Sequence, residues 1–511
     1  QIETIAAIDV GSNYLRMIIA EVSSNGEINK LEDLRKNTNI GKDTFAFGRI
    51  GVDTIHKTCE TLKDFAILMK DYHIKHYRAV STSGVREAEN RDYLIDQVRI
   101  KTGINVEIIN NAQERFLMYK GLRESISDIQ RIIEEGTLIV NVSSGAMEIS
   151  FYSGGKLIFT DYIKTGSLRI REILSDLENV TIDFPKVMEE YIGSKTSSVE
   201  EIIKSANIKN FIGLGGELSS MASLNIKNKI FQQERFIKGS VLEKLYYKVC
   251  NMNTEQIIRE YQVTQKQAEG LMPSVIIFNR LLKATKAEGM YVPFVSLRHG
   301  LLADMADELF QTKRKTEAID DIINSVWYIG KKFGIDKVHS ENVKNLAVSI
   351  FDQTLKIHKL KEKEKLYLEV AAILHDVGKY VDLNEHDIHS YNIISSQNIM
   401  GLSNDELKLV ANIARYHLDS IPDFSHSNYK ILSERERIIV SKLAAILKLA
   451  ESMDVSHKQK ITKVDITNDG SKLLFKIKTD KDIILEKWNF NDNVNFFEEV
   501  MGIKPIIKQI G

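Results

Sequence analysis

Cysteine is almost missing from this chain of 511 residues: Cys59 and Cys250 are the only two. Two thiols so far apart exclude a disulfide framework and a cysteine-ligated zinc site. Proline is scarce as well, at five residues, so no proline-rich linker marks a domain boundary. No apolar run approaches the roughly 20 residues of a membrane span, and no cleavable signal is recognised. The expectation is a cytoplasmic protein without a membrane partner. Charge of one sign is also lacking. The formal net charge is −1, which gives no global pull toward nucleic acid. A polyanionic ligand would have to be met by a local basic or amide-lined groove. What is present is an ordinary globular balance, 43% hydrophobic and 27% charged, in a chain too long for one core. Three or four domains are expected.

"TIAAIDV" (residues 4–10) is an apolar run closed by "GSN" and resumed by "LRMIIAEV", the pattern of a hairpin with a polar tip. "TLIVNVSSGAMEISFYSGGKLIFTDYI" (residues 137–163) repeats the plan as three strands. Two such openings predict duplicated domains whose turns face a shared cleft. "FIGLGGELSSMA" (residues 211–222) supplies a third small-residue turn and is expected to lead into a helix. Helical stretches at 54–73 and 112–126 alternate with these strands, the signature of an α/β arrangement. Beyond about residue 305 strand signals nearly vanish and apolar residues recur at helical spacing up to about 457. The tail, from 461 to 490, alternates around "NDG", a hairpin turn, and precedes a short helix. The predicted domains are 1–130, 131–308, 309–458 and 459–511.

In "IDVGSN", Asp9 ends a buried strand, Gly11 lets the backbone approach a ligand, and Ser12 and Asn13 can donate to phosphate oxygens. Taken alone, this is equally a hairpin turn capped by an aspartate. "STSGVREAENR" adds Arg86, a bidentate phosphate donor or a solvated charge at a helix start. The order of the pieces "AAIDVGSNYLRMIIAEV", "STSGVREAENR", "TGINVEIINNAQERFLMYKGL", "LIVNVSSGAMEIS" and "GLGGELSSMASL" resembles the exopolyphosphatase/guanosine pentaphosphate phosphohydrolase (Ppx/GppA) branch of the actin-like superfamily. The resemblance covers essentially the whole chain. It implies an α/β fold of two actin-like (ASKHA, ribonuclease H-like) domains, then an all-α domain and a small α/β C-terminal domain.

The same resemblance implies hydrolysis of terminal phosphate from inorganic polyphosphate or guanosine pentaphosphate in the cleft between domains I and II. It also implies a homodimer. Glu114 stands where the family's water-directing glutamate lies, although a carboxylate in a helix's first turn also simply favours the dipole. Phosphate is expected on Gly11, Ser12, Asn13, Arg86, Ser143, Ser144, Gly145, Gly215 and Gly216, and Mg²⁺ on Asp9, Asn141 and Glu148. Several positions depart from the family pattern. Asn141 brings no charge to a cation that favours carboxylates, and Ser143 and Ser144 replace glycines where positive φ could be needed. Met147 removes a hydroxyl, Leu214 and Glu217 replace threonines, and Tyr14 replaces a small residue.

"LYLEVAAILHDVGKYVDL" places His375 and Asp376 side by side, an imidazole and a carboxylate for one metal. It resembles the His-Asp centre of the HD phosphohydrolase superfamily. That resemblance adds His339, opening "HSENVKNLA", and Asp454, closing "ILKLAESMD". Two nitrogens and two carboxylates suit Mn²⁺, Fe²⁺, Mg²⁺ or Zn²⁺. His389 and His417 could serve a second metal or the substrate. Front-cleft hydrolysis is the expected function, with two alternatives: HD-type hydrolysis of a nucleotide or phosphate ester with the front half regulatory, and a non-catalytic polyphosphate or alarmone sensor.

Overall fold

The computed structural model describes residues 1–126, 128–218 and 235–511. The chain divides into two compact units, Gln1–Asp321 and Ile322–Gly511. Among the described residues no helix is long and apolar enough to cross a membrane.

The first unit holds two sheets built on one plan. In the first, β1 (Ile2–Val10), β2 (Tyr14–Ser23) and β3 (Ile28–Asn37) form an antiparallel meander, and β4 (His76–Ser81) joins β1 in parallel with β5 (Val106–Ile108) outside it. The second repeats this with β6 (Thr137–Val142), β7 (Met147–Ser153) and β8 (Lys156–Ile163) antiparallel, and β9 (Asn210–Gly215) parallel to β6. β10 (Phe236–Lys238) and β11 (Gly289–Tyr291) extend its far side. All six residues of β6 are buried. That follows from its nearly continuous apolar run, since a central strand is covered on both faces. The predicted repeat of openings is therefore a repeat of sheets. The helix expected after Gly216 begins before Ser219, and residues 219–222 of that expectation lie outside the described residues.

The helix Asn111–Ser125, which carries Glu114, is fixed at its start by a capping box between Asn110 and Gln113. Its middle packs on the helix Leu297–Phe310 at a glycine-to-glycine crossing. A Cβ added at Gly300 would stand 1.8 Å from the carbonyl oxygen of Leu117, and one at Gly121 would stand 3.1 Å from the nitrogen of Gly300.

In the second unit, Lys337–Gln353 packs on Glu362–Leu374 and on Glu434–Ser452. Asn404–Arg415 packs on those last two and on His386–Ser396. The tail differs from its expected form in two ways. The hairpin is confined to β12 (Asp465–Asn468) and β13 (Lys472–Lys478), and Ile484–Asp492 is helical, with only Glu486 and Phe490 buried. β14 (Lys504–Ile510) then returns to pair in parallel with β13.

The glycine crossing generates a prediction. Gly300→Ala forces a methyl group into a backbone carbonyl that cannot rotate away, and should destabilise the protein by about 2 to 3 kcal/mol in denaturant unfolding.

Candidate functional site

Small residues bring the bends of the first unit together. A Cβ at Gly84 would meet Ser12 Oγ at 2.6 Å, one at Gly145 would meet Ser83 Oγ at 2.3 Å, and one at Gly215 would meet the carbonyl oxygen of Val142 at 2.5 Å. Gly215 and Gly216 also hold positive φ, at +69° and +62°. The result is a cleft of about 150 Å³ lined by Asp9, Gly11, Ser12, Asn13, Glu114, Asn141, Ser143, Ser144, Gly215 and Gly216. Tyr14, Arg16, Thr82, Ser83, Ser167, Glu217 and Ser296 line it too. Of these, Thr82 and Ser83 lie in the quoted "STSGVREAENR" stretch without having been singled out, and Ser167 and Ser296 carried no distinguishing sequence signal.

Two expected phosphate donors are placed elsewhere. Gly145 is packed beneath the cleft against Ser83 and Phe45. Arg86 is not among the lining residues, because its guanidinium is already engaged: it donates to the carbonyl of Ile109 at 2.5 Å and to Asn111 Oδ1 at 2.7 Å. It also stands 3.8 Å from Glu114 Oε2. Arg86 therefore holds Glu114. Ser143 and Ser144 are absent from the positive-φ residues, so replacing glycine there costs no backbone strain. The Ser143 bend is closed instead by a hydrogen bond from its own N–H to the carbonyl of Ala146 at 2.9 Å.

Acids dominate the electrostatics. Burial pushes the Glu114 carboxyl up to about 7, with Arg86 opposing and Asp9 reinforcing. Burial likewise raises Glu148 to about 8 against Arg115, and Glu217 to about 8 against Arg16 and Arg35. Asp9 is raised by burial, with Arg16 and Arg298 pulling the other way. Glu148 lies in a smaller adjoining cavity, of about 20 Å³, which shares Asn141 with the cleft. Among the described residues, Asp9 Oδ1 and both oxygens of Glu148 are buried without a hydrogen-bond partner. Carboxylates in that condition fit a cation, to which Asn141 could add a carbonyl oxygen.

The second unit gathers a separate cluster. Asp336 caps its helix by accepting the N–H of His339 at 3.2 Å. His375 ends Glu362–Leu374. The turn that follows is locked to His386–Ser396, with Ser390 Oγ donating to the carbonyl of His375 at 2.6 Å and accepting the N–H of Gly378 at 2.8 Å. Gly378 is required there, as a Cβ would lie 1.9 Å from the carbonyl oxygen of His386. Three sets of grouped donors result: His339, His375 and Asp376; His339, Glu451 and His457; and Asp376, His386 and His417.

Two expected members differ. Asp454 is fully buried behind His339, its Oδ2 2.7 Å from His339 Nδ1 and its Oδ1 accepting from the N–H of Gln459 at 2.8 Å. Glu451, three residues earlier in the last turn of Glu434–Ser452, takes the inner place, with Oε2 3.1 Å from His339 Nε2 and 3.0 Å from His375 Nε2. His389 is half-buried outside the cluster, and His386, one turn earlier, stands in it instead. His457 was also missed. It stacks on His339 with ring centroids 3.5 Å apart.

The fold defines a class: paired mixed α/β sheets around a shared cleft, followed by a helical region. The chain belongs to the Ppx/GppA phosphatase family, matching it over residues 18–309 and matching the family's domain III over 323–493. It is 20% identical to the guanosine-5'-triphosphate,3'-diphosphate pyrophosphatase of Vibrio vulnificus over 481 residues, which is 92% of this chain and 91% of that one. Among solved structures, it is similar to the Cytophaga hutchinsonii exopolyphosphatase with TM-score 0.54 and 21% identity, covering 61% of this chain and 99% of that one. It is also similar to the Aquifex aeolicus family member with TM-score 0.51 and 22% identity, covering 60% and 99%.

The buried Glu217 carboxyl yields a pH-dependent prediction. Its folded pKa is raised, so the native state holds the proton more tightly than the unfolded chain and loses stability as pH rises from about 4.5 to about 8. Glu217→Gln removes that loss. It should raise Tm at pH 8.5 by roughly 5 °C, with most of the gain gone at pH 5.

Proposed function

We propose that the chain hydrolyses phosphoanhydrides, releasing terminal phosphate from inorganic polyphosphate or guanosine pentaphosphate in the front cleft. The observation that carries this reading is the position of Glu114. It is a carboxyl with pKa near 7, held by Arg86, on the wall of a cleft into which the bends at 11–13, 143–144 and 215–216 all open. A base with that pKa accepts a proton from water near neutral pH and orients the attacking oxygen. Backbone amides and the Ser12 and Ser83 hydroxyls would hold the phosphate oxygens. Asp9, Asn141 and Glu148 would hold Mg²⁺, which when bound offsets phosphate charge. The names of the relatives, a pentaphosphate pyrophosphatase and an exopolyphosphatase, point to the same two substrates. Family resemblance alone carries the accompanying proposals of an actin-like superfamily fold, a homodimer and a cytoplasmic location.

A second reading is favoured by the donor cluster of the helical region. That region is proposed to be of HD type and to bind Mn²⁺, Fe²⁺, Mg²⁺ or Zn²⁺, with hydrolysis of a nucleotide or phosphate ester there and a regulatory role for the front half. His339, His375, Asp376 and Glu451 are buried with imidazole nitrogens and carboxylate oxygens turned toward one another, a donor set that fits a metal ion.

Phosphate release from long polyphosphate and from guanosine pentaphosphate, measured with Mg²⁺, separates the readings. Glu114→Gln should lower turnover at least 100-fold, about what loss of a general base costs. Loss confined to Asp376→Ala would move catalysis to the helical region, and a parent inactive with every divalent metal would leave a sensor. Arg86→Gln should shift the acidic limb of the pH–rate profile up by about one unit. It removes the charge that holds the Glu114 pKa down, so the base stays protonated to higher pH.

A further inference from the structure

The front cleft adjoins a second pocket at its first bend. Asn13 lines the cleft and also lines a pocket of about 100 Å³ whose polar walls are Asn39, Lys42, Gln265, Lys266 and Glu269. One wall is built onto the bend itself. Gly41 donates its N–H to the carbonyl of Ser12 at 2.9 Å, and a Cβ at Gly41 would stand 2.5 Å from the Cβ of Ser12. The helix Ile40–Phe47 therefore starts against the bend and carries Lys42 beside it. The other wall is the first turn of the helix Gln265–Lys283, fixed by a capping box between Thr264 and Gln267. It carries Lys266, whose ammonium donates to the carbonyl of Thr38 and stands 3.5 Å from that of Asn13.

Neither lysine is neutralised by the acids around it. Among the described residues, neither Lys42 nor Lys266 forms an ion pair. Glu269 Oε1 accepts from Gln265 Nε2 at 2.8 Å. Asp43 Oδ2 accepts from Thr54 Oγ1 at 2.6 Å and from the N–H of Gly51 at 2.9 Å. Burial raises the Glu172 carboxyl, with Lys42 opposing. Burial also holds the Lys266 ammonium below its usual range, and Lys42 works in the same direction against Glu269 and Asp43. Two ammonium groups in one pocket repel, and an anion between them turns repulsion into attraction. A lysine meets phosphate as a point charge on a flexible stem, so it suits a ligand of repeating phosphates.

We propose that this pocket is a second phosphate subsite, in which Lys42 and Lys266 bind a phosphate group of the substrate remote from the bond cleaved beside Glu114. This rests on the front-cleft reading and adds what selects the substrate there. Two sources offer such a group. In inorganic polyphosphate it is the chain continuing past Asn13, and in guanosine pentaphosphate it is the 3'-diphosphate. Pyrophosphate has no remote phosphate. The pocket thus rewards a long or branched polyanion over a short one, with positive charge that Arg86, committed beside Glu114, does not bring to the ligand.

The test reads binding apart from turnover. Equilibrium dialysis of the full chain carrying Glu114→Gln measures its affinity for long polyphosphate, guanosine pentaphosphate and pyrophosphate. Adding Lys42→Gln and Lys266→Gln should weaken a ligand with a remote phosphate roughly 10-fold or more, the scale of one charge-assisted contact, and leave pyrophosphate within about 2-fold. Lys42→Arg with Lys266→Arg, which keeps both charges, should retain most of the affinity. Loss with polyphosphate alone assigns the pocket to its chain, loss with guanosine pentaphosphate alone assigns it to the 3'-diphosphate, and loss with both supports either occupant in turn. No loss with either ligand, or an equal loss with pyrophosphate, overturns the subsite. Lysine-dependent binding by a parent that turns over neither ligand overturns front-cleft hydrolysis and leaves the subsite standing. Absence of binding to any of the three overturns both.

Discussion

A carboxylate taken out of water must find positive charge, accept hydrogen bonds or give up its own charge, and this chain meets that constraint in two places with opposite solutions. In the front cleft, Asp9, Glu114, Glu148 and Glu217 are all raised by burial, since the arginines around them are too few or already engaged. In the helical region, burial also opposes ionisation of Asp376 and Glu451, yet His375 and its neighbours hold both well below the usual carboxylate range. One site has acids able to take up a proton near neutrality. The other has fixed anions ringed by imidazoles. The first arrangement suits proton transfer and the second suits ligation.

Architecture was legible wherever the pattern was long. The repeated strand–bend–strand openings at 4–22 and 137–163 gave two sheets of the same plan, because alternation and small-residue turns act locally. The tail was harder. "DIILEKWNF" mixes apolar and polar residues in a way that fits either strand or helix over so short a span, and burial of Glu486 and Phe490 against the domain settled it as helix. The return strand Lys504–Ile510 pairs with β13 across a helical excursion, which no local signal announces.

The site was legible by residue type and less so by position. In "HDIHSYNII" two histidines lie one helical turn apart, and in "AESMD" two acids do. Residues three apart share a helix face, so spacing alone does not choose between them. What chooses is the turn around Gly378 and Ser390, which draws the start of the helix at His386 against Asp376, and the reach of Glu451, whose extra methylene brings its carboxylate to both inner histidines. Arg86 carried a different ambiguity. An arginine beside a phosphate cleft reads as a donor to the ligand, but the carbonyl of Ile109 and the amide oxygen of Asn111 hold its two terminal nitrogens beside Glu114.

Asn141, where the family pattern has an aspartate, is best understood through register. β6 and β7 set Asn141 directly opposite Glu148, whereas the equivalent pair in the first sheet sets Asp9 opposite Arg16. An aspartate at 141 would oppose like charges across neighbouring strands, which is destabilising, and Glu114 already works against ionisation of Glu148. The amide relieves that repulsion while keeping an oxygen toward the cavity. The carboxyl forgone there reappears at Glu217, beside Arg16 and Arg35, where burial raises its pKa to about 8. These two departures therefore amount to exchanging the position of one ionisable group, with its proton held near neutrality at the new place.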